Sequence, residues 1–183
     1  MSWPTSPAAV SGSPIPAAGW NAIRADVAAM NGFVRKTADQ SISSSTVLTN
    51  DTHLLYAIPA AGTYLVDVYA LANSAADAAG DIAVGFSFPA GTMYFMGPGP
   101  HNSLASGSNV LGEWIARPSA TSGSTNIPFG LSLNGGIPLG FTVHAMFVAT
   151  ASGTLRFMWA QQTSSASATK VWAGSHMLVR QVA

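Results

Sequence analysis

The sequence predicts an all-β protein, an antiparallel jelly-roll β-sandwich with a short N-terminal arm and one α-helix. Three observations lead there. From residue 40 to residue 182 the chain holds nine or ten short runs with a two-residue apolar period, parted by Gly, Pro, Asn and Ser turn signals. Only one stretch, between Ser13 and Gly32, has helical spacing. Finally, 18 Gly and 11 Pro interrupt every apolar run well short of the roughly 20 residues a membrane helix requires, so the 48% hydrophobic content points to a core and not to membrane insertion.

The C-terminal run carries the clearest alternation. Phe141, Val143, Ala145, Phe147 and Ala149 share one face of a strand, with Thr142, His144, Met146, Val148 and Thr150 on the other. After the turn at Ser152-Gly153, Leu155, Phe157 and Trp159 oppose Arg156 and Met158. Following a polar loop over 161–169, Val171-Trp172 is stopped by Ala173-Gly174-Ser175, and residues 176–182 alternate again. Several of these strands are apolar on both faces. One such face suits the sandwich core, and a second calls for another copy of the chain to cover it. Phe141, His144, Phe147, Phe157 and Trp159 are the expected contacts between copies, three copies if the resemblance given below holds.

In chain order, residues 1–14 hold Pro4, Pro7 and Pro14 among Ser and Ala and read as an extended arm. Ser13 caps a helix of about four turns, Pro14 and Pro16 suit its first turn, and Asn31-Gly32 ends it. Trp20, Ile23, Val27 and Met30 form its apolar seam. A helix this short is marginal alone, so its seam packs on its own domain, between subunits or into a partner. Residues 1–32, with Trp3 and that seam, are the expected anchor, and 33–183 the jelly-roll head. Further strands are expected over 40–49, 52–58, 63–71, 81–88, 92–96, 110–116 and 126–133, with a bulge or close backbone contact at Gly85.

The 183 residues hold seven basic and seven acidic side chains, a charged fraction of 8%. So neutral a surface lacks the basic footprint that nucleic acid or an anionic membrane needs. The N-terminus has no basic and apolar signal pattern. No Cys is present, so neither a disulfide nor a thiolate metal site is expected. No hydrolase elbow, metalloprotease helix or phosphate loop occurs, and Glu113 has no nearby carboxylate in sequence. No catalytic residue, metal or cofactor is therefore expected. His53, His101, His144 and His176 are scattered, the last two within strands. Asp77 and Asp81 fit turn chemistry before they fit a Ca²⁺ loop. Tyr94, with His101 and Asn102 in the irregular loop that follows, offers an aromatic and polar partners for a sugar.

Two segments carry a resemblance. Gly12-Ser13-Pro14-Ile15-Pro16-Ala17-Ala18-Gly19-Trp20-Asn21, running into a short helix, resembles the N-terminal segment of small structural proteins of tailed bacteriophages. Gly153-Thr154-Leu155-Arg156-Phe157-Met158-Trp159-Ala160-Gln161, with Ala173-Gly174-Ser175-His176-Met177-Leu178-Val179, is similar to the last strands of trimeric jelly-roll domains of tumour-necrosis-factor-like shape on phage fibres and head decorations. The resemblance implies a trimeric, non-enzymatic virion surface protein, a capsid decoration or head fibre docked by its arm. A tail-fibre or baseplate adhesin for host-surface glycans is the alternative. The chain shows no repetitive stalk, which favours decoration.

Overall fold

The structure is a computed structural model, and it describes residues 18, 20, 32–74, 82–99, 113–119, 122–123, 127–129 and 138–182. Among them the chain forms twelve strands: β1 (Gly32–Arg35), β2 (Gln40–Ile42), β3 (Thr49–Ile58), β4 (Gly62–Ser74), β5 (Ile82–Ser87), β6 (Gly91–Gly99), β7 (Glu113–Ser119), β8 (Ile127–Phe129), β9 (Leu139–Ala149), β10 (Gly153–Gln161), β11 (Thr169–Val171) and β12 (His176–Gln181). All the pairings are antiparallel.

The pairings nest. β1 pairs with β12, β3 with β10, β4 with β9 and β5 with β8, as in one long hairpin bent at its middle. Winding that hairpin sets β12 beside β4 and β10 beside β5. The result is sheet A, in the order β1-β12-β4-β9, facing sheet B, in the order β3-β10-β5-β8. This is the jelly roll that the strand count and turn spacing predict. Sheet A is extended past β9 by the β6–β7 hairpin, and β2 and β11 lie along the far end of β4.

Alternation explains the core. Tyr64, Val66, Val68, Ala70 and Ala72 of β4, the odd-numbered residues from Phe141 to Ala149 on β9, and Met177 and Val179 of β12 turn inward from sheet A. Leu155, Phe157 and Trp159 of β10 with Ile82, Val84 and Phe86 of β5 meet them from sheet B. Phe86 stands edge-on to Phe95 at 5.4 Å and to Phe157 at 5.8 Å. Each such aromatic contributes about 2 to 3 kcal/mol of burial. Phe141, Phe147, Phe157 and Trp159, expected between subunits, are thus filled by the chain's own core, and of the five contact candidates only His144 remains outside. A period of two tells which side chains share a face, but not which face turns inward.

Other differences are local. Residues 40–49 split: β2 covers only Gln40–Ile42, and the chain then leaves the sheet through Ser44 at φ 54°. The buried Gln161 holds that loop, accepting from Ser45 N and Ser165 N and donating to Ser167 O at 2.7 Å. Gly85 pairs in register with Met158, and the irregularity lies instead between Arg156 and Met158 against β3. Gly91 enters β6 at φ 154°, where a Cβ would come 2.8 Å from the Phe147 ring, so only glycine lets the hairpin approach β9. The expected anchor residues Trp3, Ile23, Val27 and Met30, and Asp77 and Asp81, lie outside the described residues. Ala18 and Trp20 are helical, and Trp20 is exposed.

One polar cluster lies inside. Lys36, one residue past β1, reaches Asp51 of β3 at 2.7 Å, with both side chains fully buried. The remaining valences are met: Lys36 Nζ also donates to Gln40 Oε1 at 3.2 Å, and Asp51 accepts from Trp159 Nε1 at 3.2 Å and from the amides of His53 and Leu54. The Lys36 backbone closes on the turn before β12, through Lys36 N to Ser175 O and Gly174 N to Lys36 O. Lys36→Met leaves a buried carboxylate without its cation, so denaturant unfolding should show a loss of about 3 to 5 kcal/mol. Lys36→Met combined with Asp51→Asn, which buries no charge, should recover part of it. A single-variant loss below about 1 kcal/mol would contradict the role of the pair.

A second, exposed latch joins the β11–β12 turn to the β1–β2 link. Asp39 accepts from Ala173 N at 2.9 Å and lies 3.5 Å from Lys170 Nζ, which sits 4.5 Å over the Trp172 ring. The Ala173 amide first, and then Lys170, hold the Asp39 carboxyl below its ordinary value of 3.8 against partial desolvation, which opposes them. A lowered carboxyl contributes stability that is present above its unfolded value and lost as pH falls through its folded one. Carboxyl carbon shifts should therefore titrate below 3.8 at Asp39, with faster exchange of the Ala173 amide over the same range; a midpoint at or above that value would remove the latch.

Candidate functional site

Alternation that fills the core from one side of sheet A leaves the other side to be explained. Position 67 of β4 is out of phase with Val66 and Val68, so Asp67 and Tyr69 point outward. The registers then fix the outer surface as rows crossing the strands. One row runs Phe33, Leu178, Asp67, His144, Met96. A second runs Arg180, Leu65, Met146, Tyr94, and a third Arg35, His176, Tyr69, Thr142.

This face is apolar where a solvated sheet would be polar. Of the nine large hydrophobic side chains exposed among the described residues, Phe33, Tyr69, Tyr94, Met96, Met146 and Val148 all lie on it, with Phe33 62% and Tyr94 47% accessible. They do not scatter. They surround one polar pair, Asp67 and His144, whose Oδ1 and Nδ1 are 2.7 Å apart with both side chains about half exposed. In water such a pair is worth about 0 to 1 kcal/mol, so folding alone gives it little to do.

Beside the pair the face is hollowed. The Phe33, His176 and Tyr69 rings stand in file across β1, β12 and β4, with centroids 5.5 and 5.3 Å apart. With Leu178, Asp67 and His144 they line a hollow of about 190 Å³. Tyr69 lies across β9 only because residue 140 is glycine: a Cβ there would meet its hydroxyl at 2.5 Å and its ring at 2.9 Å. The hollow has an aromatic floor and a hydrogen-bonding dyad, and no group of three His, Asp or Glu gathers to hold a metal among the described residues.

The sequence-predicted residues divide accordingly. His144 and Tyr94 lie on this face, Tyr94 on strand β6, which contains the strand expected over 92–96; His101 and Asn102 lie outside the described residues. The histidines, scattered in sequence, are partly gathered, since His144 and His176 line one hollow with Asp67. Phe33, Asp67, Tyr69 and His176 were not singled out as site residues. The available signal was the outward phase of Tyr69 beside Asp67 in a strand whose inward phase was already fully apolar.

No family model matches the chain, and no curated protein matches it. Among solved structures it is similar to the infectious bursal disease virus VP2 subviral particle, at 11% identity over 84% of this chain and 37% of that one, with a TM-score of 0.23. It is also similar to the Gt and Gx strains of that virus, at 11% and 12% identity over 83% and 81% of this chain and 40% of each of those, with TM-scores of 0.16 and 0.14. The chain spans about two fifths of the length of the chains it matches.

Proposed function

We propose that the protein is a non-enzymatic structural subunit of a tailed-phage virion, a homotrimeric capsid decoration or head fibre. Its subunits meet through the outer face of sheet A, and residues 1–32 hold it on the particle. The observation that carries this reading is the apolar outer face. Its six exposed side chains present on the order of 600 Å² of apolar surface, the upper end of what a monomer leaves uncovered and approaching the ~800 Å² each partner contributes to a stable interface. Few charges oppose the approach of copies, because the chain is neutral overall and sparsely charged. The exposed, helical Trp20 supports the anchor, as its burial against a partner contributes about 2 to 3 kcal/mol.

An adhesin is the second reading, favoured by the file of rings beside Asp67 and His144, since a sugar needs a stacking surface and hydrogen-bond partners. The two readings differ in whether this face is covered in the assembled protein.

Light scattering of the full chain should give three subunits. Met146→Glu, which places a charge on the outer face and none in the core, should give a monomer with unchanged strand content; a wild-type monomer at micromolar concentration would sink the trimer. For the anchor, removing residues 1–31 or substituting Trp20→Ala should leave the trimer intact and reduce its occupancy on particles. Full occupancy without residues 1–31 would move attachment to the head.

A further inference from the structure

Resting on the reading of sheet A as the subunit face, we infer that Tyr94 of one copy fills the hollow between Phe33, Tyr69 and His176 of the next. The protruding and the hollowed parts of this face lie at opposite sides of one sheet. Tyr94 stands on β6, and the three rings of the hollow come from β1, β12 and β4, with Thr142 and His144 of β9 at its near edge. β9 and β4 separate β6 from β12, so His176 is three strand spacings from Tyr94, about 14 Å at the usual spacing. A tyrosine side chain cannot fold back that far across its own sheet. A second copy can deliver one.

Size and chemistry select the occupant. The hollow, about 190 Å³ and open on its outer side, has room for one phenol ring entering from above the sheet. The Phe33, His176 and Tyr69 rings supply the edges and faces against which an aromatic ring packs. A sugar in the hollow would leave Tyr94, Met146 and Val148 in water, whereas a second copy covers both parts of the face at once. Each subunit gives one tyrosine and receives one, an exchange that a ring of three satisfies head to tail and a two-fold dimer reciprocally; the trimer proposed above takes the first form.

The chain has no native Cys, so engineered thiols report without background. Full-length protein carrying both Tyr94→Cys and Leu178→Cys, oxidised with copper-phenanthroline, should run as a covalent trimer. Either single variant alone should stay uncrosslinked, and an equimolar mixture of the two should give a covalent dimer. Because Tyr94→Cys removes the ring under test, a second measurement keeps it on one side. Tyr94→Ala and Phe33→Ala should each raise the trimer dissociation constant about tenfold, and the double variant by much less than the product, since both remove one contact. A wild-type trimer that gives no crosslink and multiplicative variants overturns the contact and leaves the subunit face standing. A covalent species that stops at the dimer keeps the contact and overturns the ring of three. A monomer throughout overturns both.

Discussion

Two charges without access to water, Lys36 and Asp51, are the constraint around which this jelly roll is arranged. Most of the core is apolar and would tolerate sliding, because burial is non-directional. A buried ion pair tolerates none: each partner is costly unless the other is within hydrogen-bond reach and the remaining donors and acceptors are met. Meeting them brings together the end of β1, Gln40 of β2, the bend in β3 and the indole of Trp159 on β10. The same lysine's backbone holds the turn that launches β12. Both sheets are registered at one point, and slipping either strand of the pair strands a charge.

The second organising fact is that sheet A is apolar on both sides, for different reasons. Inside, Phe141, Phe147 and Tyr64 are held among their own chain's residues. Outside, Phe33, Tyr94 and Met146 remain in water around the hydrogen-bonded Asp67 and His144. That pair contributes little while solvated, but it gains weight and directionality when a partner excludes water. An apolar sheet with a polar dyad at its centre can therefore associate strongly while accepting only one alignment, a combination that greasy surface alone does not provide.

Much of this was legible in the sequence, for reasons that also explain what was not. Alternation located nearly every strand, because a sheet that buries one face imposes a period of two on whatever occupies it. It could not assign the inward face of β9, where Phe141 and Phe147 compete with Met146 and Val148 and both sets are apolar. β1 escaped notice because its four residues begin within the expected Asn31-Gly32 helix stop. Lys36 sits among polar residues and reads as solvated; only the fold brings Asp51 to it, 15 positions away, and Trp159 to Asp51, 108 positions away. Asp67 and His144 are 77 residues apart, so no local motif could announce them.

The nested pairing has a consequence for how such a molecule comes into being. Among the described strands β12 comes last, yet it lies inside sheet A, between β1 and β4. Until it arrives, β1 has no partner and the inner residues of β4 lack neighbours on one side. The other strands of the sheet can therefore be formed while the slot between β1 and β4 is still open. Long-range closure of this kind is slow compared with local hairpin formation, and the open interval exposes unpaired strand edges to other nascent chains. How quickly one six-residue strand finds its slot therefore bears on how much chain reaches the native state.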